Sequence, residues 1–149
     1  ITFDSMLERI QTLAGRSWNG IAELWTDPAG NEAEVSDCAF IVESARLLYT
    51  WEWEGERQTG QFQLLPQHAI WTDSWHQSKP TDCVYVSNTS AFFTIEYSYP
   101  GVSSSDWRWR ILLSQRPDDT VVLQMTNIAP WGEEMRAVRM LFTTMEAAI

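Results

Sequence analysis

The sequence predicts an all-β fold, an antiparallel up-and-down barrel of about eight to ten strands behind one N-terminal helix. A 3.6-residue hydrophobic period appears in FDSMLERIQTLA, residues 3–14, and no second helix of convincing length interrupts the strands that follow. After Gly15 the apolar period becomes two, the alternation of a strand that buries one face. Short clusters rich in Pro, Gly, Asn, Asp and Ser separate the alternating runs and join them as hairpins. A meander of this length removes its exposed edges by closing into a barrel or by splitting into two sheets. The sandwich is therefore the main alternative. A cone-shaped α+β fold is a second, and it needs further helices.

Taken in order, Phe3, Met6, Leu7, Ile10 and Leu13 form one stripe of the helix. Asp4 or Ser5 is the expected N-cap, with Glu8 as the capping-box partner of Ser5, and Gly15 stops the helix. SWNGIAELW is the first strand and TDPAGNEAE the turn after it. CAFIVES and ARLLYTWEWE follow. In the second of these, Leu47, Tyr49, Trp51 and Trp53 alternate with Leu48, Thr50, Glu52 and Glu54. GERQTG reads as a hairpin connection into QFQLL, which Pro66 ends. HAIWTDSWHQ comes next, then SKPTD as a turn and CVYVS as a strand. AFFTIEYSY places Phe93, Ile95, Tyr97 and Tyr99 on one face, and WRWRILLSQ does the same for Trp107, Trp109, Ile111 and Leu113. Between them PGVSSSD, with the Ser-rich 103–105, is a loop. RPDD turns into TVVLQMTNI, and APWGEE links irregularly into MRAVRMLFTTMEA.

The 149 residues correspond to a single domain, 1–149, divided into a helix and cap (1–15) and a barrel (16–149). The net charge of -10, with 20 acids against 10 bases and no basic run, speaks against nucleic acid and against an anionic membrane surface. No apolar run is long enough for a transmembrane helix, and no charged segment followed by an apolar one reads as a signal peptide. Cys38 and Cys83 form no metal or redox spacing with each other or with His68 and His76, so no metal is expected. Buried free thiols fit a reducing cytoplasm. The outstanding composition is nine Trp, which calls for an aromatic interior or binding surface.

Asp73 carries the most chemistry, because it shares a face with Trp71 and Trp75. A carboxylate among indoles must be paired or protonated. It could then contact a ligand, act in proton transfer, or accept Trp N–H or Arg bonds and fix the barrel. In the opposite frame, residues 70, 72, 74 and 76 face inward and Asp73 is in water. His76 falls on the face opposite Asp73, near a turn, where a histidine is expected to be exposed. Arg108 and Arg110 are either an inward anion fork or, the preferred reading, outward partners of Glu52 or Glu54. Asn127, on the Val121/Leu123/Met125 face, either ties down the APWG bulge or meets a ligand. Nucleophile-elbow, zincin, P-loop and dinucleotide motifs are absent from the sequence.

LAGRSWNG directly after the short helix resembles the opening of lipocalins and other calycins, which start their barrel with a Gly-x-Trp element. YTWEWEG, WTDSWH, WRWRI and MTNIAPWGEEMRAV resemble an uncharacterised bacterial family with a calycin-like barrel. The resemblance implies that Trp18 plugs the closed end and that Arg136 or Arg139 lies over its ring. It implies no activity. A calycin-like heme protein would need a proximal histidine, and FTTMEA offers none near the C-terminus.

The combined expectation is a binding protein for a small hydrophobic or amphipathic molecule held inside the barrel, without a cofactor. Trp51, Trp53, Tyr97, Trp107, Trp109 and Met125 are the expected walls, and Asp73 and Asn127 the polar contacts. No catalytic residue is assigned. The alternatives are an enzyme using Asp73 with an Arg or His, and a homodimeric interaction module presenting Trp25 and Trp131.

Overall fold

A computed structural model describes residues 2–27, 29–86, 91–100 and 106–144. Helix α1 (Phe3–Gln11) precedes ten strands: β1 (Trp18–Trp25), β2 (Ala33–Glu43), β3 (Arg46–Trp53), β4 (Glu56–Leu64), β5 (His68–Asp73), β6 (Gln77–Tyr85), β7 (Phe93–Pro100), β8 (Asp106–Gln115), β9 (Val121–Ile128) and β10 (Glu134–Thr144). They form one closed antiparallel barrel in which each strand pairs with its sequence neighbour and β1 pairs with β10. The ten-strand barrel, rather than the sandwich or the cone, is the solution this meander takes.

Several boundaries differ from expectation for local reasons. Thr2, not Asp4 or Ser5, caps α1, its side chain accepting from Ser5 N. The helix ends at Gln11, and the turn after it closes at Gly15, where φ is +76°. The hairpin connection GERQTG is mostly strand, because Glu54 and Gly55 alone make the turn, both with positive φ. SKPTD is strand as well. Pro80 fits there because the β5–β6 register shifts between Trp71 and Asp73 and the β6–β7 ladder has not yet begun. The Ser-rich 103–105 lies outside the described residues.

α1 closes one end of the barrel. Met6, Ile10 and Leu13 join the core, and Gln11 Nε2 donates to Ser44 O across the β2–β3 turn at 2.6 Å. Trp18 is buried at that end, its Nε1 donating to Leu13 O at 2.9 Å and its ring stacked on Phe40 at 5.5 Å. The expected arginine partner is corrected. Arg136 lies over Trp25, 4.4 Å from its centroid, and Arg139 is 5.7 Å from the same ring. Register explains this. Thr144 stands opposite Trp18, whereas Arg139 stands opposite Glu23, near the far end of β1.

The interior is built in layers across β7, β8 and β9. Phe93, Leu113 and Leu123 form the layer nearest α1, followed by Ile95, Ile111 and Met125, then Tyr97, Trp109 and Asn127. The first two layers are fully buried apolar residues that fill the barrel. Polar groups enter only in the third, toward the end opposite α1. The outer wall carries ion pairs: Arg108 and Arg110 with Glu96, Arg110 with Glu134, and Arg139 with Glu23. Among the described residues no helix is long and apolar enough to cross a membrane. The arginines at 108 and 110 do face outward, but toward Glu96 on the neighbouring strand and Glu134, not Glu52 or Glu54.

Candidate functional site

The site is organised from below by Asp73. This residue is the last of β5 and only 1% exposed, so its carboxylate needs donors on both oxygens. Oδ2 accepts from Tyr49 OH at 2.6 Å and from Trp51 Nε1 at 3.3 Å. Oδ1 accepts from the backbone N–H groups of Trp75 and His76 at 2.8 and 2.9 Å. Tyr49 OH accepts in turn from Trp71 Nε1 at 3.0 Å. Burial, then the charge of Asp73, pushes the Tyr49 hydroxyl well above its ordinary range and keeps it a donor. Both oxygens of Asp73 thus accept from groups of the chain itself, including the Trp51 N–H among the donors the sequence offered.

Tyr49 and Asp73 lie on strands separated by β4, and Gly60 stands between them, paired with both. A Cβ on Gly60 would lie 2.1 Å from Tyr49 Cζ. The glycine is the gap through which the phenol reaches the carboxylate.

Because Oδ1 holds the N–H groups two and three residues on, the chain turns directly after Asp73. The period of two therefore stops there, and His76 is turned inward rather than exposed. This corrects the sequence reading. The imidazole lies 5.5 Å from the Trp51 ring, 5.3 Å from Trp109 and 4.6 Å from Trp75. Burial pushes its pKa below the ordinary value, with Asp73 opposing more weakly. The ring is thus neutral near pH 7. Its Nε2 and the Nε1 of Trp109 are buried and have no hydrogen-bond partner among the described residues.

Beside these two atoms the wall opens. Among the described residues the β6–β7 register holds Val84↔Glu96 and Tyr85↔Ile95, extended by Val86 N donating to Thr94 O at 2.8 Å, and in the other direction both strands run on unpaired with each other. His76, Gln77, Tyr97, Tyr99 and Trp109 line an open cleft of about 310 Å³ at this seam. Burial pushes the Tyr97 hydroxyl up to about 12 and raises that of Tyr99, so both are protonated. Tyr99 OH donates to Asn127 Oδ1, which engages the oxygen of the amide that sequence offered to the APWG bulge or to a ligand.

Of the residues expected to contact a ligand, Tyr97 and Trp109 line the cleft. Asn127 is half-buried behind Tyr99. Trp107 is half-buried against Trp131, and Trp53 packs on Trp75. Trp51, Asp73 and Met125 are buried beneath, in the packed interior. His76, Gln77 and Tyr99 line the cleft as well, outside that set of expected contacts. Trp25 is buried and Trp131 exposed, so the outward aromatic pair is reduced to one. No protein-family model matches the chain, and no curated protein or solved structure matches it significantly.

Proposed function

We propose that the protein binds one small, largely apolar molecule in the cleft between β6 and β7, as a calycin-like binding protein. The observation that carries this reading is the meeting, at the β6–β7 seam, of an aromatic inner face with two buried polar atoms that lack partners among the described residues. An unmet buried hydrogen-bonding group costs about 1–3 kcal/mol, which a ligand that satisfies it returns as affinity. A volume of about 310 Å³ lies at the small end of ligand pockets and suits a molecule of one or two rings. The two layers below consist of buried apolar side chains, so the ligand lies at the seam rather than deep in the barrel. Trp51, Asp73 and Met125 support the floor of the cleft, with Asp73 as the positioning residue for the turn that carries His76. The buried free thiols of Cys38 and Cys83 suit a reducing cytoplasm as the compartment.

The reading is tested by titrating the full chain with N-phenyl-1-naphthylamine, a neutral two-ring fluorophore, alongside native mass spectrometry of freshly purified protein. One saturable site is expected, weakened at least tenfold by Trp109→Ala. Fluorescence that rises without saturation, or a titration indifferent to Trp109, would refute it.

A further inference from the structure

Resting on that reading, we infer that the ligand is a neutral planar ring whose edge carries a carbonyl beside an N–H, as in a lactam. The carbonyl accepts from Trp109 Nε1 and the N–H donates to His76 Nε2. Indole nitrogen can only donate, so whatever satisfies Trp109 must be an acceptor. The His76 and Trp109 rings are neighbours, their centroids 5.3 Å apart, and both line the cleft, so the two orphan atoms sit on adjacent side chains of one wall. A neutral imidazole presents an acceptor at Nε2 when its proton is on Nδ1, which calls for a donor on the same ligand edge.

Charge chooses between the ligand edges that could meet this pair. A carboxylate would accept at both positions, but it would stand near the Asp73 carboxylate in a chain of net charge -10. It would also be lined by Tyr97 and Tyr99, whose environment disfavours charge. A neutral amide edge meets the same geometry without that cost. The walls are flat rings, Tyr97, Tyr99, Trp109 and His76, and a planar ligand stacks on them with most contact per atom. Both orphan atoms are covered in the unliganded chain. Binding therefore requires side chains at the cleft to shift, beside Trp75, which is 41% exposed and packs edge-on to the His76 ring at 4.6 Å.

The test compares three ligands of nearly equal shape by calorimetry and by the indole N–H resonances of the full chain. They are 2-quinolinone, which carries the lactam edge, N-methyl-2-quinolinone, which lacks the donor, and 2-methylnaphthalene, which lacks both groups. The expected result is that 2-quinolinone binds at least tenfold tighter than either analogue and moves the Trp109 indole proton downfield, an effect needing no variant. Trp109→Phe and His76→Phe are each expected to erase the preference, each variant binding 2-quinolinone no tighter than it binds 2-methylnaphthalene. Equal binding of all three would overturn the amide edge and leave the apolar cleft standing, as would an unmoved Trp109 resonance in the bound state. Failure of all three ligands and of N-phenyl-1-naphthylamine would instead remove the binding reading itself.

Discussion

Replacing Tyr49 by Phe removes a single oxygen, and the structure sets what that oxygen holds. It donates to Asp73 Oδ2 at 2.6 Å and accepts from Trp71 Nε1 at 3.0 Å. The ring stays, stacked 5.6 Å from Phe62, so the apolar contribution is unchanged. Losing a buried hydrogen bond to a charged group costs roughly 1.5–3 kcal/mol, and the Trp71 N–H left without an acceptor costs roughly 1–3 more. Trp71 has no exposed surface, so water does not replace the lost acceptor. We expect a destabilisation of about 4 kcal/mol, a large share of the 5–15 kcal/mol typical of a folded domain. For a chain of this size that is a Tm lower by about 8–16 °C. In urea, with m near 2 kcal/mol/M, the midpoint falls by about 2 M with m unchanged. Parallel melts by circular dichroism and tryptophan fluorescence measure it. A loss below about 1 kcal/mol would mean that the phenol hydroxyl is dispensable and that Asp73 is held by its other donors alone.

Gly60→Ala is expected to destabilise by at least 2 kcal/mol, measured by the same melts, since its Cβ would fall 2.1 Å from Tyr49 Cζ. The effect should shrink in a Tyr49→Ala background. His76, held below its ordinary pKa by burial, binds its proton more weakly folded than unfolded. Its contribution to stability is therefore complete above about pH 6.5 and is lost as pH falls below it, by at most about 1.4 kcal/mol per pH unit. His76→Phe should flatten that part of the stability curve, and an unchanged slope would contradict it. The thiols of Cys38 and Cys83, each pushed up to about 12 by burial, should react with a disulfide reagent at pH 8 only after denaturant is added. Arg136→Gln removes the bonds to Gly30 O and the contact over Trp25, and should cost about 1–3 kcal/mol in a urea melt.

The alternation of two made the barrel readable. The inward rows Leu47/Tyr49/Trp51 and Ile111/Leu113 follow from periodicity, and the short turns between runs dictate nearest-neighbour pairing. Asp73 was legible too, because a carboxylate flanked by Trp at the same parity has few comfortable places. His76 was not, since its inward turn depends on which backbone groups Asp73 Oδ1 accepts from, and the period gives no warning that the strand stops. The signal available was the Asp-Ser-Trp-His run itself, an Asp able to bond the N–H groups two and three residues ahead. The partner of the late arginines was misplaced for a similar reason. Alternation assigns a side chain to a face, but its height on the barrel wall depends on register, and β10 sets Arg139 beside Glu23. The extent of the β6–β7 ladder is beyond any reading by period, because two strands can alternate perfectly and still diverge.

That short ladder gives the barrel a fault line. Seven register pairs join β1 to β10, whereas two join β6 to β7 among the described residues. Among the described residues the ring of strands is thus zipped over a longer span between its first and last strands than between β6 and β7. Sub-global opening should begin there, with the amides of β6 exchanging with solvent well before those of β1, β9 or β10. A fold with such a seam can breathe there while the rest of its wall stays zipped, and under the proposed function that seam would be the way in for a ligand.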